Sequence, residues 1–434
     1  MSLIGTGVFE IILAIYCFVA VFLVNKPLIA SAWFIFFRST FQVAAFKGLL
    51  IFNLIPYFTI PTILLAISAT VTLAKTSSFK LSQTFIFYVL FVILTMYFGA
   101  LNLAINLTNL NSYFDFLIKI ACPIFIFITT SVGIKRQADL YTALQFGSYS
   151  SVFAIASGLL QLALGGGYDY RDDTIVPGER IVGTIIDPNS FGIYLSLILF
   201  MIMPLVLRRK SIVNILFLAI LIITIVSARN RGTWIALAIA IPITVLIFRY
   251  HIRIHYWIVG GIVLFVTAMP FFQSRFADLN KLDKYGQSQD TFSERIYHHI
   301  DLLEISLENP FIGAGIGSSE LPISRSSGFI ELAHNDYIRI AVETGYITLI
   351  IYLCFLFSQY FWTLRFRYSK FWDIQFATHC TVIYIIVMSF VDNIVGDILN
   401  YSMFMYIVAI SFRAPYVEIE DNIKPRALFA QVSS

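Results

Sequence analysis

Residues 324–353 read SRSSGFIELAHNDYIRIAVETGYITLIIYL. The stretch leaves a loop of Ser, Arg and Gly, passes through His334, Asn335 and Asp336, and enters an apolar run that continues as a membrane-type helix. Arg339 and Glu343 lie four apart inside that run, the spacing that shares a helix face. Charge is expensive in such a place, so it marks either pairing or function. Two readings stay open: an ion pair that holds the structure, or the floor of a wet cavity below the histidine. The polar triplet also has two readings. Asn335 or Asp336 can cap the helix that follows. Alternatively His334 carries chemistry, standing where free N–H groups and the positive dipole end favour an anion and where a neutral imidazole can take a proton.

The whole chain resembles the second half of that stretch. Of its 434 residues 59% are hydrophobic and 12% charged, with a mean hydropathy of +0.83, whereas a soluble domain carries about a quarter charged residues. This is the composition of an all-α polytopic membrane protein. The net charge of +4 implies no nucleic-acid partner, because most Lys and Arg fall in short clusters between apolar runs, where they set orientation. The four cysteines, Cys17, Cys122, Cys354 and Cys380, lie inside apolar runs with no spacing that suits a metal or a disulfide framework. The first apolar run lacks a basic leader and a cleavage site, so it is expected to stay as an anchor.

Apolar segments of roughly 20 residues, enough to span a bilayer, begin near Val8, Leu54, Gln83, Tyr113, Leu140, Gly183, Ile212, Gly232, Tyr256, Tyr337, Asp373 and Val395. That predicts about twelve helices. The stretch LIASAWFIFFRSTFQVAAFKGLLIF (28–52) carries Arg38 and Lys47 and reads as an interfacial or re-entrant helix. Basic clusters at Lys75/Lys80, Lys135/Arg136, Arg208–Lys210, Arg249/Arg253, Arg365/Arg367/Lys370 and Arg413/Lys424/Arg426 recur in every second connection. By the positive-inside rule those connections are cytoplasmic. Two longer loops, 165–180 and 272–336, then lie outside. In the larger one ERIYHHIDLLEISLENP places Ile296, Ile300, Leu303 and Leu307 at helical spacing, predicting an amphipathic helix that rests on the membrane. No internal repeat and no detachable soluble domain is evident.

Outer connections should be poor in basic residues, yet SARNRGTW puts Arg229 and Arg231 in one. Arg180, Arg295 and Arg325 fall on the same side. Single arginines at helix ends snorkel to lipid phosphates; several together suit a diphosphate, whose oxygens a guanidinium binds bidentately. Adjacent His298 and His299 point to different helix faces and read as surface residues, Asp172-Asp173 as a solvated turn, and His379 as an interhelical hydrogen-bond partner. Asp392 and Asp397 stand at the outer ends of the last two spans.

Taken in order, RIVGTIIDPNSFGIYLSL (180–197), SARNRGTW (227–234), SERIYHHIDLLEISLENPFIGAGIGSSE (293–320) and AHNDYIRIAVETGYITL (333–349) resemble the bacterial O-antigen ligase and O-antigen polymerase superfamily. The resemblance implies an inverting, metal-independent and cofactor-free glycosyltransferase of the bacterial inner membrane, with its active site facing the periplasm. The donor would be a glycan on undecaprenyl diphosphate, the acceptor a sugar hydroxyl on a lipid-linked repeat or on lipid A-core; a chain-length regulator is a further partner it admits. Family positions correspond to Arg231, to Arg295 at the start of the loop helix, to His334 of the His-Asn pair and to Asp392 after the penultimate span. His334 would then act as general base and Arg231 and Arg295 would hold the diphosphate. Arg180, Arg229, Asn335, Arg339, Glu343 and Asp392 would bind substrate, Arg229 sharing or replacing the role of Arg231.

Polymerase and ligase share this donor chemistry. The stretch IVGTIIDPNSFGIYL leans to polymerase, and so does the spacing from Arg275 to Gly286 in the outer loop, although with 23 glycines such a spacing is common. A lipid-linked oligosaccharide flippase or proton-coupled transporter is the rival of another class. It should carry charge near the midplane of several helices and show repeated halves.

Overall fold

The computed structural model describes residues 19, 23, 26–40, 50–51, 55–56, 59–76, 82–105, 110–169, 174–177, 180–185, 187–209, 211–252, 291–319, 321–323, 329–331 and 333–432. Its helices are α1 (Pro27–Thr40), α2 (Thr59–Lys75), α3 (Gln83–Ala104), α4 (Leu110–Gly133), α5 (Gln137–Tyr149), α6 (Val152–Ala163), α7 (Pro188–Arg209), α8 (Ile212–Ser227), α9 (Arg231–Ile247), α10 (Thr291–Glu308), α11 (Asp336–Thr344), α12 (Tyr346–Arg365), α13 (Trp372–Met388) and α14 (Ile398–Val432). Three antiparallel hairpins of two short strands join them: Leu50–Ile51 with Ile55–Pro56, Gly166–Asp169 with Thr174–Pro177, and Leu321–Ile323 with Phe329–Glu331.

Among the described residues five helical stretches are long and apolar enough to cross a membrane: Gln83–Ala104, Tyr113–Gly133, Gln137–Ala163, Pro188–Arg209 and Tyr346–Arg365. Pro61–Lys75, Ile212–Ser227, Arg231–Ile247 and Trp372–Met388 are shorter apolar helices. The spans expected near Val8 and Tyr256 lie outside the described residues. The protein is a helical membrane protein, built this way because a helix satisfies its own backbone where lipid offers no partner.

The bundle sorts its helices by how completely they are apolar. From Phe191 to Leu205 every residue of α7 is buried, as are nearly all of α13 and the first half of α14. These three pack on one another and form the centre. Helices further out keep one apolar stripe exposed: Val213, Leu216, Ile220 and Ile223 on α8, and Ile235, Ile239, Ile243 and Leu246 on α9. Stripes at three- and four-residue spacing are the surface that lipid covers. Between central helices the polar groups find each other. Gln375 and Ser411 exchange two hydrogen bonds between α13 and α14, Tyr406 donates to the Ala143 carbonyl at 2.9 Å, and His379 bonds Thr363 at 2.7 Å, as its mid-helix position led us to expect.

Residues of three of the basic clusters meet at one end of the bundle. Arg208 pairs with buried Asp373 at 3.3 Å, Tyr141 donates to the same carboxylate at 3.1 Å, Lys370 reaches Gln137 at 2.9 Å and Arg413 reaches the Ile134 carbonyl at 3.1 Å. The opposite end carries Arg180, Arg229, Arg231, His334 and Asp392; we refer to it as the site end.

Two expectations change. Of the two readings of the stretch around Arg38, the interfacial one gives way: α1 is a short helix packed inside the bundle, with Ile35 fully buried and Ser31 bonded to Thr130 at 3.1 Å, a placement that agrees with the re-entrant alternative. Phe34, Ile35 and Phe37 are buried, and α1 packs mainly on α4, where apolar side chains leave water. The span expected from Tyr337 is broken: α11 stops at Gly345 and α12 restarts at Tyr346. The break has a local cause. Gly345 takes φ +85°, the Tyr346 N–H donates to the Pro310 carbonyl at 2.8 Å, and Ala314 N–H donates to Val342 at 2.7 Å, so the NPFIGAG strap lies across the joint. Arg339 and Glu343 therefore ride on a short separate helix, not within a span.

The strap admits no side chain at its closest points. A Cβ on Gly345 would strike the Phe311 carbonyl, and one on Gly313 (φ +73°) would sit 2.5 Å from Glu343 C and Thr344 N. Gly345→Ala and Gly313→Ala should each destabilise by about 1–3 kcal/mol, combining strained φ with backbone contact. Thermal unfolding of the detergent-solubilised protein should show lowered midpoints for both, and wild-type midpoints would disprove the strap's tight packing.

Candidate functional site

Four helices begin close together at the site end, each capped by a short polar side chain. Asp187 accepts from Ser190 N–H at 2.7 Å before α7, and Asn230 from Thr233 N–H at 3.1 Å at α9. Asn335 accepts from Tyr337 and Ile338 N–H at 3.0 and 3.1 Å at α11, and Asp397 from Leu399 N–H at 3.0 Å at α14. The caps also tie one start to the next: Asn230 donates to the Asn189 carbonyl at 3.0 Å, Asn400 donates to the Ser190 carbonyl at 3.2 Å, and Arg180 holds the Asn189 side chain at 2.9 Å. Each N-terminus carries about half a positive charge, which the carboxylates of Asp187 and Asp397 offset at two of them, so the electropositive character of the basin they form comes from the helix starts together with Arg180, Arg229 and Arg231.

The turn between α13 and α14 closes this basin. Val391 lies against Gly232, so the turn abuts the start of α9. Its Asp392 faces the imidazole of His334, Oδ1 to Nδ1 3.7 Å, both half-buried, and lies within electrostatic reach of Asp187. Arg229 and Arg231 flank the Asn230 cap and are also half-buried. Among the described residues only two that are not glycine adopt left-handed backbone: Arg229 at φ 51° and His334 at φ 44°. Such residues cost about 1–3 kcal/mol each and collect at functional sites. Both also stand out in the sequence, one as a basic residue in an outer connection and the other in the His-Asn-Asp triplet.

Asp336 is the residue that the sequence left as one of two possible caps. It is fully buried and leaves the cap to Asn335. Its carboxylate accepts from Ser389 Oγ at 3.0 Å, Ile394 N–H at 2.9 Å and Val395 N–H at 3.2 Å, and its own N–H donates to the Ser389 carbonyl at 2.9 Å. Burial pushes this carboxyl up to about 7, against the opposing pull of Arg339 and the hydrogen bonds. Tyr337 adds a bond to the Ile386 carbonyl at 2.9 Å.

The loop helix α10 joins from the other side. Leu302 packs with Ala333 and Val342, and His299 Nε2–H donates to the Ala333 carbonyl at 2.6 Å, next to His334. His298 is buried as well. The two histidines are thus not free surface residues: His298 is buried, and half-buried His299 bonds Ala333 where α10 docks on α11, while Ile300, Leu303 and Leu307 stay exposed on the face assigned to the membrane. Arg295 falls four residues before His299 in α10, the spacing that shares a helix face; its side chain, with Arg325, Asp172, Asp173 and the Arg275–Gly286 spacing, lies outside the described residues.

Arg339 and Glu343 form a buried pair, Nε to Oε1 3.2 Å. Ser319 donates to the same Glu343 oxygen at 2.5 Å, and the guanidinium stacks 5.0 Å from the centre of Phe116 and against Gly396. The pair thus joins α11 to Ser319 just beyond the strap, to α4 and to the turn before α14. Asn335 gives its side-chain oxygen to the cap. Sequence reasoning missed Asp187, Asn189, Asn230, Asp336 and His299 as site-building groups. A short polar residue just before each apolar helix was the available signal for the caps; none existed for the ties across the chain. Among the described residues no three His, Cys, Asp or Glu side chains are placed to hold a metal ion together.

Residues 216–353 match the family model described as O-antigen ligase. The match includes Arg229, Arg231, Arg295, His334, Asn335, Arg339 and Glu343, and leaves Arg180 and Asp392 outside it. No curated protein matches the chain.

A buried pair broken on one side leaves an uncompensated charge. Arg339→Met should therefore destabilise by about 3–5 kcal/mol, and Arg339→Met with Glu343→Leu should recover most of that loss. Thermal unfolding of the single and double variants checks this, and a double variant no more stable than the single would contradict a purely structural pair.

Proposed function

The chain belongs to the O-antigen ligase and polymerase superfamily through residues 216–353, and from that premise we propose that it transfers a glycan from undecaprenyl diphosphate to a sugar hydroxyl at its site end. The observation that carries the reading is the meeting of the His334–Asp392 pair with Arg229, Arg231 and four capped helix N-termini. A base stands beside a basin suited to a diphosphate, which is what displacement at an anomeric carbon requires.

In this mechanism the donor diphosphate occupies the electropositive basin, with Arg229 and Arg231 forking onto its oxygens, and the family resemblance adds Arg295 of α10 to them. Arg180, steadied by Asn189, lies at the rim. Asp392 faces Nδ1 of His334, which leaves Nε2 toward the acceptor. The acceptor oxygen attacks the anomeric carbon while its proton passes to His334. The bond from that carbon to the diphosphate oxygen breaks, and its electron pair leaves on the diphosphate, where guanidiniums and helix dipoles stabilise the growing charge. Attack opposite the leaving group inverts the anomeric configuration. Asp392 offsets the charge of the imidazolium that forms. The strained backbone at His334 and Arg229 sets both groups before substrate arrives.

We assign the acceptor to a lipid-linked repeat unit, making the protein a polymerase facing the periplasm from the inner membrane. The support is the residue pattern at 181–195, whose Asp187 and Asn189 form part of the site's wall. The second reading, transfer to lipid A-core, is favoured by the matched family's description as O-antigen ligase. The glycan ladder of a deletion strain separates them. A lost polymerase leaves core bearing one repeat; a lost ligase leaves core bare and polymer on its lipid carrier.

His334→Ala should lower turnover by about 10²–10⁴-fold, the usual worth of a general base, at normal membrane abundance. The measurement is transfer by purified protein from lipid-linked donor to defined acceptor; wild-type turnover would remove the general-base role.

Arg231→Lys and Arg295→Lys should each lose about 10²-fold although the charge is kept, because an ammonium cannot reproduce a bidentate fork on a developing oxyanion. In the same assay, full activity of both would reduce these positions to bulk electrostatics. Arg229→Ala should be milder than Arg231→Ala, and the opposite order would exchange their roles.

A further inference from the structure

We infer that Asp336 is the positioning residue that holds Asp392 against His334, an inference that rests on the proposed glycosyl transfer. Asp336 is two residues from His334 along the chain, while its carboxylate is bonded to residues on both sides of Asp392: Ser389 before it, Ile394 and Val395 after it. The backbone bond from Asp336 N–H to Ser389 O completes the clamp. One buried side chain therefore sets both halves of the pair. Nearer its middle the turn 389–397 is held by packing, with Val391 on Gly232.

Two different roles for a buried aspartate fit less well. A metal ligand would not have its oxygens filled by two backbone N–H groups and a hydroxyl. A residue kept for fold stability alone has no need to grip the catalytic turn, since a carboxylate buried this deeply is a costly group to ionise. Burial that pushes it up to about 7 also makes the neutral side chain a natural visitor to the site, so Asp336→Asn is a mild substitution. It keeps the shape and one acceptor oxygen but cannot serve three donors.

The test uses the full-length protein in detergent with a lipid-linked donor and a defined acceptor. Asp336→Asn should reduce kcat by about tenfold or more, with KM for the donor within about twofold of wild type, because the loss is in the pair and not in diphosphate binding. Asp392→Asn should reduce kcat by a similar factor. The double variant should be no worse than the poorer single one, since residues acting through one contact are not additive. Ser389→Ala, which removes one donor to Asp336 together with the hydroxyl contacts of Ser389 to Tyr337 and Tyr352, should give a smaller kcat loss that also vanishes in the Asp392→Asn background. It carries the same comparison if Asp336→Asn does not accumulate. Wild-type kcat in Asp336→Asn, or losses that multiply in the double variants, overturn the positioning role. His334→Ala is the separate arm: turnover retained there overturns the general-base reading itself, whereas a dead His334→Ala with multiplying losses overturns only the role of Asp336.

Discussion

A backbone in lipid must satisfy each of its own N–H and C=O groups, and everything unusual about this protein is placed where that rule is relaxed. Helices can cross the hydrocarbon; left-handed residues, caps and turns cannot lie open to it. Arg229 and His334, with their positive φ angles, and the turn that carries Asp392 therefore gather at one end of the bundle, walled by protein. The break at Gly345 belongs to the same logic. It occurs where the strap from Pro310 to Ala314 supplies the partners that a continuous helix would have found within itself.

The bundle also separates its charges by purpose. At the basic end, Arg208, Lys370 and Arg413 bind a carboxylate, a carboxamide and a backbone carbonyl, so their positive charge holds neighbouring helices together. At the site end four helix starts contribute positive field through oriented N–H groups, with arginines added to it. Fixed dipoles need no reorganisation when charge develops on a leaving group, which is why such an arrangement suits departure of a diphosphate. Asn230 and Asp187 cap helix starts locally, and the bonds from Asn230 to Asn189 and from Asn400 to Ser190 also set how far apart the helix starts stand.

The buried pairs divide in the same way. Arg339 with Glu343 fastens α11 to Ser319 beyond the strap, and Asp336 fastens it to the turn that carries Asp392. Both sit on a helix of nine residues, too short to be stable alone. What keeps that helix in place is this set of long-range ties, with α10 docked beside it through Leu302 and His299. His334 at its start is consequently positioned from three directions, by the cap, by the loop helix and by the turn.

Composition and periodicity by themselves determined that the chain is helical and membrane-embedded, which connections are basic, and that Arg229, Arg231, His334 and Asp392 are unusual for their places. These are properties of neighbouring residues: apolar run length, charge against that background, a polar cap before a helix. The position of the break at Gly345 was hidden, because residues 337–353 are as apolar on average as a span, and the strap that ends α11 comes from residues 309–314. The burial of α1 was hidden for a similar reason, since an aromatic stretch with one arginine reads alike whether lipid or protein covers it. Which of His298, His299, Asp187 and Asp336 matter was decided only in three dimensions. Each acts on a group that folding brings to it, and the ties from Asp336 to Ile394 and from His299 to Ala333 span separations at which sequence carries no periodic signal.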